Sequence, residues 1–384
     1  TIIKEMKANG GSVTDATRAD LARKAYALTA GYDAAISGWL AKQAGETFPQ
    51  RVSIAIQRGE ELRYGENPHQ KAAYYRLARN SGEPCVAHAK QIAGGKQISF
   101  NNLMDTNAAF ELVKEFDQPA AVVVKHMNPC GCAVDSNIVE AYRKAYCSDV
   151  VSAFGGILAF NKPVTEELAD AIAESYGRWG KALGAGGFFA EVIIAPSFDP
   201  AAVELIRTRK RWGAEDVRLL ETGPIDRSKM DRDEYDVRGI VGGILLQQRD
   251  LVSWEADQIK CVTKRKPTPQ ELTDLELAWT VVKHVKSNTI VLAKDSAVVG
   301  VGAGQMNRVD SGMLAIRQAK DAAKGSCMAS DAFFPFPDNV TQAAAAGIAA
   351  IVQPGGSKND QASIDECDKN NMTMVFTGKR HFLH

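Results

Sequence analysis

At 384 residues the chain exceeds the roughly 250–300 at which one hydrophobic core stops growing, so two or more core units are expected. Lys plus Arg equals Asp plus Glu at 46 each, which argues against a chain-wide nucleic-acid surface but leaves room for a local phosphate pocket. No apolar run approaches the roughly 18 residues of a membrane span. The seven scattered cysteines fit a reducing compartment, so the cytoplasm is the expected location.

In chain order, the turn-like Asn9-Gly10-Gly11 comes first. After it, Leu21, Ala25, Leu28, Tyr32, Ile36 and Leu40 recur at steps of three or four and predict an amphipathic helix ending at Gly45 and Pro49. No strand precedes it, and its apolar stripe has no obvious partner beside it, so the chain is expected to start mid-protein. From Arg51 the pattern turns to strands. The donor-rich loop Leu62–Gln70 precedes a short apolar run, Ala72–Tyr75, and a helix is predicted over Asp105–Phe116.

The stretch Ala121–Val134, AVVVKHMNPCGCAV, follows. Its valines suit a strand buried on both faces, and the strand delivers Lys125 and His126 at its end, where α/β enzymes place their clefts. A turn is expected at Asn128-Pro129. Next come a helix over Ile138–Cys147, a turn over Ser148–Gly156, a strand over Ile157–Phe160, a helix over Thr165–Tyr176 and a strand over Glu191–Ala195. The mixed stretch from Asp199 to Pro269 reads as a connecting region.

Val281-Val282-Lys283-His284 matches Val123-Val124-Lys125-His126 letter for letter. Ser330-Asp331-Ala332-Phe333-Phe334 echoes Ser148-Asp149 through Ala153-Phe154, and Ile348–Val352 before Pro354 echoes Val192–Ala195 before Pro196. Three echoes in one order predict a duplicated α/β unit whose equivalent loops face each other across a pseudo-symmetric cleft. Lys125-His126 would then meet Asn288, the Gln305–Arg308 loop and Phe333–Phe336.

Three other motifs are weaker. Pro129-Cys130-Gly131-Cys132 departs from the Cys-x-x-Cys spacing of zinc nucleobase deaminases, and no His-x-Glu precedes it. Gly300–Gly304 mimics a dinucleotide fingerprint, but its third glycine falls one position early. No Gly-x-Ser-x-Gly elbow of a serine hydrolase occurs.

Several motifs together resemble one family, the transformylase part of the bifunctional aminoimidazole-carboxamide ribonucleotide (AICAR) formyltransferase/IMP cyclohydrolase. They are Arg63-Tyr64-Gly65 with Asn67–Gln70, Lys125-His126 with Asn128-Pro129, and Ser152–Gly156. Gly302–Gln305, Ser330–Phe336 and Arg380 near the terminal His384 complete the set. The resemblance runs from Arg51 to the last residue, and residues 1–50 look like the tail of the cyclohydrolase domain.

It implies two duplicated cytidine-deaminase-like α/β subdomains without zinc. The expected limits are 1–50 for the tail, 51–198 for the first half, 199–269 for the connection and 270–384 for the second half. It implies formyl transfer from 10-formyltetrahydrofolate to the 5-amine of AICAR in purine biosynthesis, by a homodimer with composite sites and a structural potassium ion. Cyclohydrolase activity is expected only of the full-length parent.

His126 and Lys125 are the implied catalytic pair. Substrate contacts fall on Arg63, Tyr64, Gly155, Glu191, Asn288, Arg308, Phe333 and Arg380, and folate contacts on Val309, Asp338, Ser357 and Lys358. Glu191 stands where some members carry Asp, and Lys358 where others carry a small residue. His126 suits a general base because a neutral imidazole accepts a proton near pH 7. Lys125 suits the oxyanion, and Arg63 and Arg380 suit the phosphate. The alternatives are a zinc-dependent nucleotide deaminase and a non-catalytic module that senses a purine intermediate.

Overall fold

The computed structural model of the chain describes residues 2–78, 81–209 and 216–384. Two helices, α1 (Ile2–Ala8) and α2 (Asp15–Gln43), come first, with the Thr14 hydroxyl capping α2. The predicted long helix is therefore present. Its apolar residues are uncovered, with Tyr26, Leu28, Tyr32, Trp39 and Leu40 between 54% and 78% exposed.

The hairpin β1 (Ile56–Leu62) and β2 (Ala72–Leu77) follows. Then comes a first run: β3 (Lys90–Ala93), α3 (Phe100–Val113), β4 (Ala120–Lys125), β5 (Asn128–Val134), α4 (Ile138–Ser148), β6 (Gly156–Phe160), α5 (Glu166–Ala173), β7 (Ala190–Ala195), α6 (Pro200–Thr208) and β8 (Arg218–Glu221). A second hairpin, β9 (Tyr235–Ile240) with β10 (Gly243–Gln248), intervenes. The second run is β11 (Lys260–Cys261), α7 (Pro269–Val282), β12 (Ile290–Lys294), β13 (Ala297–Gly302), α8 (Arg308–Ala319), β14 (Cys327–Ser330), α9 (Asp338–Ala345), β15 (Ala350–Gln353), α10 (Asp360–Lys369) and β16 (Thr373–Phe376).

Among the described residues, twelve strands form one sheet in the order β11-β16-β15-β14-β12-β13-β5-β4-β6-β7-β8-β3. Read outward from the β5–β13 junction, the two sides are the same. The order is hairpin, antiparallel strand, two parallel strands, then an antiparallel edge strand. The sequence of ten elements is also the same on both sides. This α/β arrangement buries both faces, which explains strands as apolar as Val122–Val124 and Ile290–Leu292.

The repeat lies in the topology, and two of the three sequence echoes are out of register with it. Val123–Lys125 belongs to β4, whereas Val281 and Val282 end the helix α7 with Lys283 as its C-cap. Ser330 ends β14, while Ser148 ends α4. The third echo pairs true counterparts, β7 and β15.

Because β5 and β13 run antiparallel through Ala133 and Ala297, equivalent ends of the two halves point to opposite edges of the sheet. The equivalent loops therefore do not face each other, and non-equivalent loops gather instead. The stretch 199–269 is also more than a connection, since α6 and β8 belong to the first run and β11 to the second.

Candidate active site

All the strand ends that carry the expected site residues lie on one edge of the sheet. That edge holds the end of β4, the starts of β5, β6, β7, β8 and β12, and the ends of β13, β14, β15 and β16. Lys125, Glu191, Asn288, Arg308, Phe333, Ser357 and Arg380 are thus delivered to the same rim.

The turn between β4 and β5 is two residues long and consists of His126 and Met127, with Lys125 paired to Asn128. The expected turn at Asn128-Pro129 is therefore two residues too late, and Pro129–Cys132 is strand, not turn. Two-residue hairpins with type I′ turns need positive φ at both central positions, which normally selects Asn or Gly. Here His126 and Met127 take φ of 52° and 62°. The Asp105 carboxylate holds them there, accepting the His126 N–H at 3.2 Å and the Met127 N–H at 2.8 Å. The His126 side chain is exposed at the tip, and Lys125 Nζ donates to the Phe154 carbonyl at 2.6 Å.

Phe154, whose carbonyl accepts from Lys125, lines a cleft of about 870 Å³ together with Arg63, the Gly186–Phe189 loop, Glu191 and Arg218. Gly155 follows Phe154 at φ 71°, its N–H donating to the carbonyl of the cleft residue Phe189 at 2.7 Å. Arg218, missed from sequence, is buried and donates to the Glu191 carboxylate at 2.6 Å. The Asn102 amide also donates to that carboxylate, at 3.4 Å. The Arg63 guanidinium lies over the Tyr64 ring at 5.6 Å, and among the described residues it pairs with no carboxylate.

On the other half, Arg308 donates to the fully buried Asp331 carboxylate at 2.7 Å and to the Asn288 side-chain oxygen at 2.7 Å. Asn288 in turn donates to the Gln305 and Met306 carbonyls. Arg380 lies over the Phe382 ring at 4.5 Å with no carboxylate partner among the described residues. Its neighbour His381 donates its backbone N–H to the Asp331 carbonyl, which brings the C-terminal tail to this cluster.

Phe333 is partly exposed after β14. Val309 and Asp338 open α8 and α9, and the Ser357-Lys358 loop is tied to the Phe333–Phe336 loop by Asn359 donating to the Pro335 carbonyl at 2.6 Å.

The sequence profile described as the AICARFT/IMPCHase bienzyme matches residues 1–318. The chain belongs to that family. It is similar to the bifunctional purine biosynthesis protein PurH of Bacillus mycoides, 48% identical over 383 residues, and to those of Bacillus cytotoxicus and Bacillus cereus, each 47% identical over the same length. Each alignment covers 100% of this chain and 70% of the relative.

In this family member the expected residues form two groups. One is Arg63, Tyr64, Lys125, His126, Gly155 and Glu191, and the other is built around Asn288, Arg308, Phe333 and Arg380. The Lys286 N–H donates to Asn128 Oδ1 at 3.1 Å and links them. Three strand spacings separate Lys125 on β4 from Asn288 before β12, or roughly 14 Å. Six separate Glu191 on β7 from the end of β14, or roughly 29 Å before twist.

The cysteines of the Pro-Cys-Gly-Cys motif are ordinary strand residues. Burial pushes the Cys130 thiol up to about 12 and that of Cys132 well above its usual range. Among the described residues, no three His, Cys, Asp or Glu side chains are grouped to hold a metal, and no helix is long and apolar enough to cross a membrane.

Proposed function

We propose that this chain is an AICAR formyltransferase, moving the formyl group of 10-formyltetrahydrofolate onto the 5-amine of AICAR in purine biosynthesis. Membership of the family supports the activity. The site reading rests on the β4–β5 hairpin, in which Lys125 ends the strand, His126 opens the turn, and Lys125 donates to the carbonyl of Phe154, a residue that lines the Arg63–Glu191 cleft.

The amine is a poor nucleophile because its lone pair is delocalised into a ring bearing a carboxamide. Attack on the formyl carbon therefore needs concurrent loss of an N–H proton. His126 accepts it at the exposed ring, a role worth about 10²–10⁴-fold. Lys125, fixed by the Phe154 carbonyl through one N–H, keeps two N–H groups for the developing oxyanion or the departing folate nitrogen. Arg63 and Arg380, unpaired with carboxylates among the described residues, supply guanidinium forks for the phosphate. Val309, Asp338, Ser357 and Lys358 form the folate side.

The separation of the two residue groups supports composite sites in a homodimer, with the first group of one copy completed by the second group of the other. The bare apolar face of α2 and the exposed Ile240, Val241, Ile244 and Leu245 of the β9–β10 hairpin suit such an assembly. We infer a position near Asp331, already paired with Arg308, for the structural potassium ion that the family resemblance implies. There the buried Thr289 hydroxyl has no hydrogen-bond partner among the described residues, and the Thr289 N–H donates to the Asp331 carboxylate.

We further assign residues 1–50 as a cyclohydrolase-domain tail and the two runs of elements as deaminase-like halves that work without zinc. The seven free thiols suit the cytoplasm. The test is spectroscopic. Tetrahydrofolate release from the formyl donor should depend on added AICAR, and release without AICAR, or none with it, would overturn the assignment.

A further inference from the structure

The Asp105 clamp on the catalytic hairpin has a twin in the other half. Asp105 and Asp274 are each the sixth residue of their helices, α3 and α7. Asp274 accepts the Asp295 N–H at 3.2 Å and the Ser296 N–H at 2.7 Å, across the two-residue turn between β12 and β13. Those turn residues take φ of 54° and 62°, nearly the values of His126 and Met127. Helix, carboxylate, twin N–H acceptance and left-handed turn are thus built twice. The two copies face opposite edges of the sheet, and only the first presents a histidine at the rim where the site residues gather.

We propose that Asp105 is a positioning residue for formyl transfer, its carboxylate locking the left-handed turn that aims the His126 imidazole. This role rests on the formyl-transfer reading.

The physical need is specific. Non-glycine residues in the left-handed region are strained, and such turns persist only when their surroundings over-determine them. Two charge-assisted hydrogen bonds from adjacent amides to one carboxylate meet that need. In the second half the same device stabilises a turn with no chemistry at its tip. In the first it also fixes where the base stands, and a misplacement of about 1 Å costs on the order of 10²-fold in rate. The N-terminal turns of α3 reach the rim at two more points, with the Asn101 amide donating to the Glu66 carbonyl at 3.3 Å and the Asn102 amide to Glu191.

The twin supplies the control. Asp105→Asn keeps one acceptor and Asp105→Ala keeps none. We expect kcat to fall about 10-fold in the first and about 100-fold in the second, with the dissociation constant for AICAR within about threefold of wild type. Asp274→Asn should lower the melting temperature about as much as Asp105→Asn while leaving kcat near wild type.

Wild-type kcat in Asp105→Ala would overturn the role, and so would an equal loss of kcat in Asp274→Asn, which would mark a general loosening of the sheet. Should Asp105→Ala fail to fold, Asp105→Asn against Asp274→Asn still decides. A wild-type protein inert towards the formyl donor would overturn the transferase reading and this role with it. An active wild type with an indifferent Asp105 would overturn this role alone.

Discussion

Arg218 reaches from the start of β8 to the Glu191 carboxylate of β7, 2.6 Å away, while its own side chain is only 3% exposed. The same guanidinium donates to the Glu191 and Asp216 carbonyls. Arg218 therefore fixes the carboxylate that faces the cleft and neutralises part of its charge. Replacing it with Ala should cost about 2 kcal/mol of stability, the scale of a hydrogen bond to a charged group, and weaken AICAR binding. Denaturant titration and calorimetry measure the two effects. Unchanged AICAR affinity in a folded variant would separate Glu191 from the nucleotide.

His126→Ala should reduce turnover by about 10²–10⁴-fold, because the imidazole is asked to take a proton during attack. The residue is exposed, and its ring carries no hydrogen bond among the described residues, so AICAR binding and the melting temperature should stay close to wild type. Turnover within a factor of two of wild type would remove His126 from the chemistry.

Arg380→Ala should act on binding. Its guanidinium rests on the Phe382 ring and is not committed to a carboxylate among the described residues, so removing it breaks no ion pair. A lost fork on a phosphate dianion should raise the dissociation constant for AICAR by about 10-fold or more, while the nucleoside lacking the phosphate should bind both proteins alike. Equal losses for nucleotide and nucleoside would place Arg380 away from the phosphate.

How much of this was readable in the chain depends on range. Strands such as Val122–Val124 and the α2 stripe announce themselves through local patterns of burial and period. The hairpin turn did not, because His-Met lacks the Asn-Gly signature and its support, Asp105, lies 21 residues upstream. Arg218 was silent for the same reason, being 27 residues from its partner. The repeat was visible as letters but misaligned, since Val-Val-Lys-His serves as a strand end once and as a helix end once. Which loops share a rim follows from the antiparallel β5–β13 junction, and no local pattern encodes that pairing.

Two buried glutamates give a pH prediction. Burial would raise the carboxyl of Glu83, but hydrogen bonds from Arg249, the Asp231 N–H and Lys114 outweigh it and hold it at about 2. Burial likewise opposes Glu115, which His284 and Lys283 hold at about 2. Both folded values lie below the ordinary 4.5. The unfolded chain therefore takes up protons first as pH falls, and the stabilisation present above about pH 4.5 is lost on the way to pH 2. The loss should be on the order of 3 kcal/mol per group. Melting temperatures between pH 6 and about pH 3 should fall less steeply in Lys283→Met, whose Glu115 has lost a cation 2.5 Å away. Parallel slopes would exclude Glu115 from the acid response.

Gly131, the centre of the Pro-Cys-Gly-Cys motif, tests the close approach of helix to sheet. A Cβ there would lie 1.9 Å from the Ala145 carbonyl oxygen of α4, and its counterpart Gly300 on β13 would place one 2.2 Å from the Ala315 carbonyl oxygen of α8. Both obstacles are backbone, so the helix has to move as a unit. Gly131→Ala and Gly300→Ala should each destabilise by about 3 kcal/mol, the upper end of ordinary over-packing costs. A conformational preference of glycine is not at issue, since neither residue takes positive φ. Gly155→Ala is the contrast. Among the described residues nothing beyond its chain neighbours lies within 4 Å of its added Cβ, but its φ of 71° strains any side chain, so its cost should be about 1–2 kcal/mol. Denaturation midpoints for the three variants, ranked with Gly131→Ala and Gly300→Ala together and Gly155→Ala mildest, would agree with this packing. A neutral Gly131→Ala would mean that α4 sits farther from β5 than the structure places it.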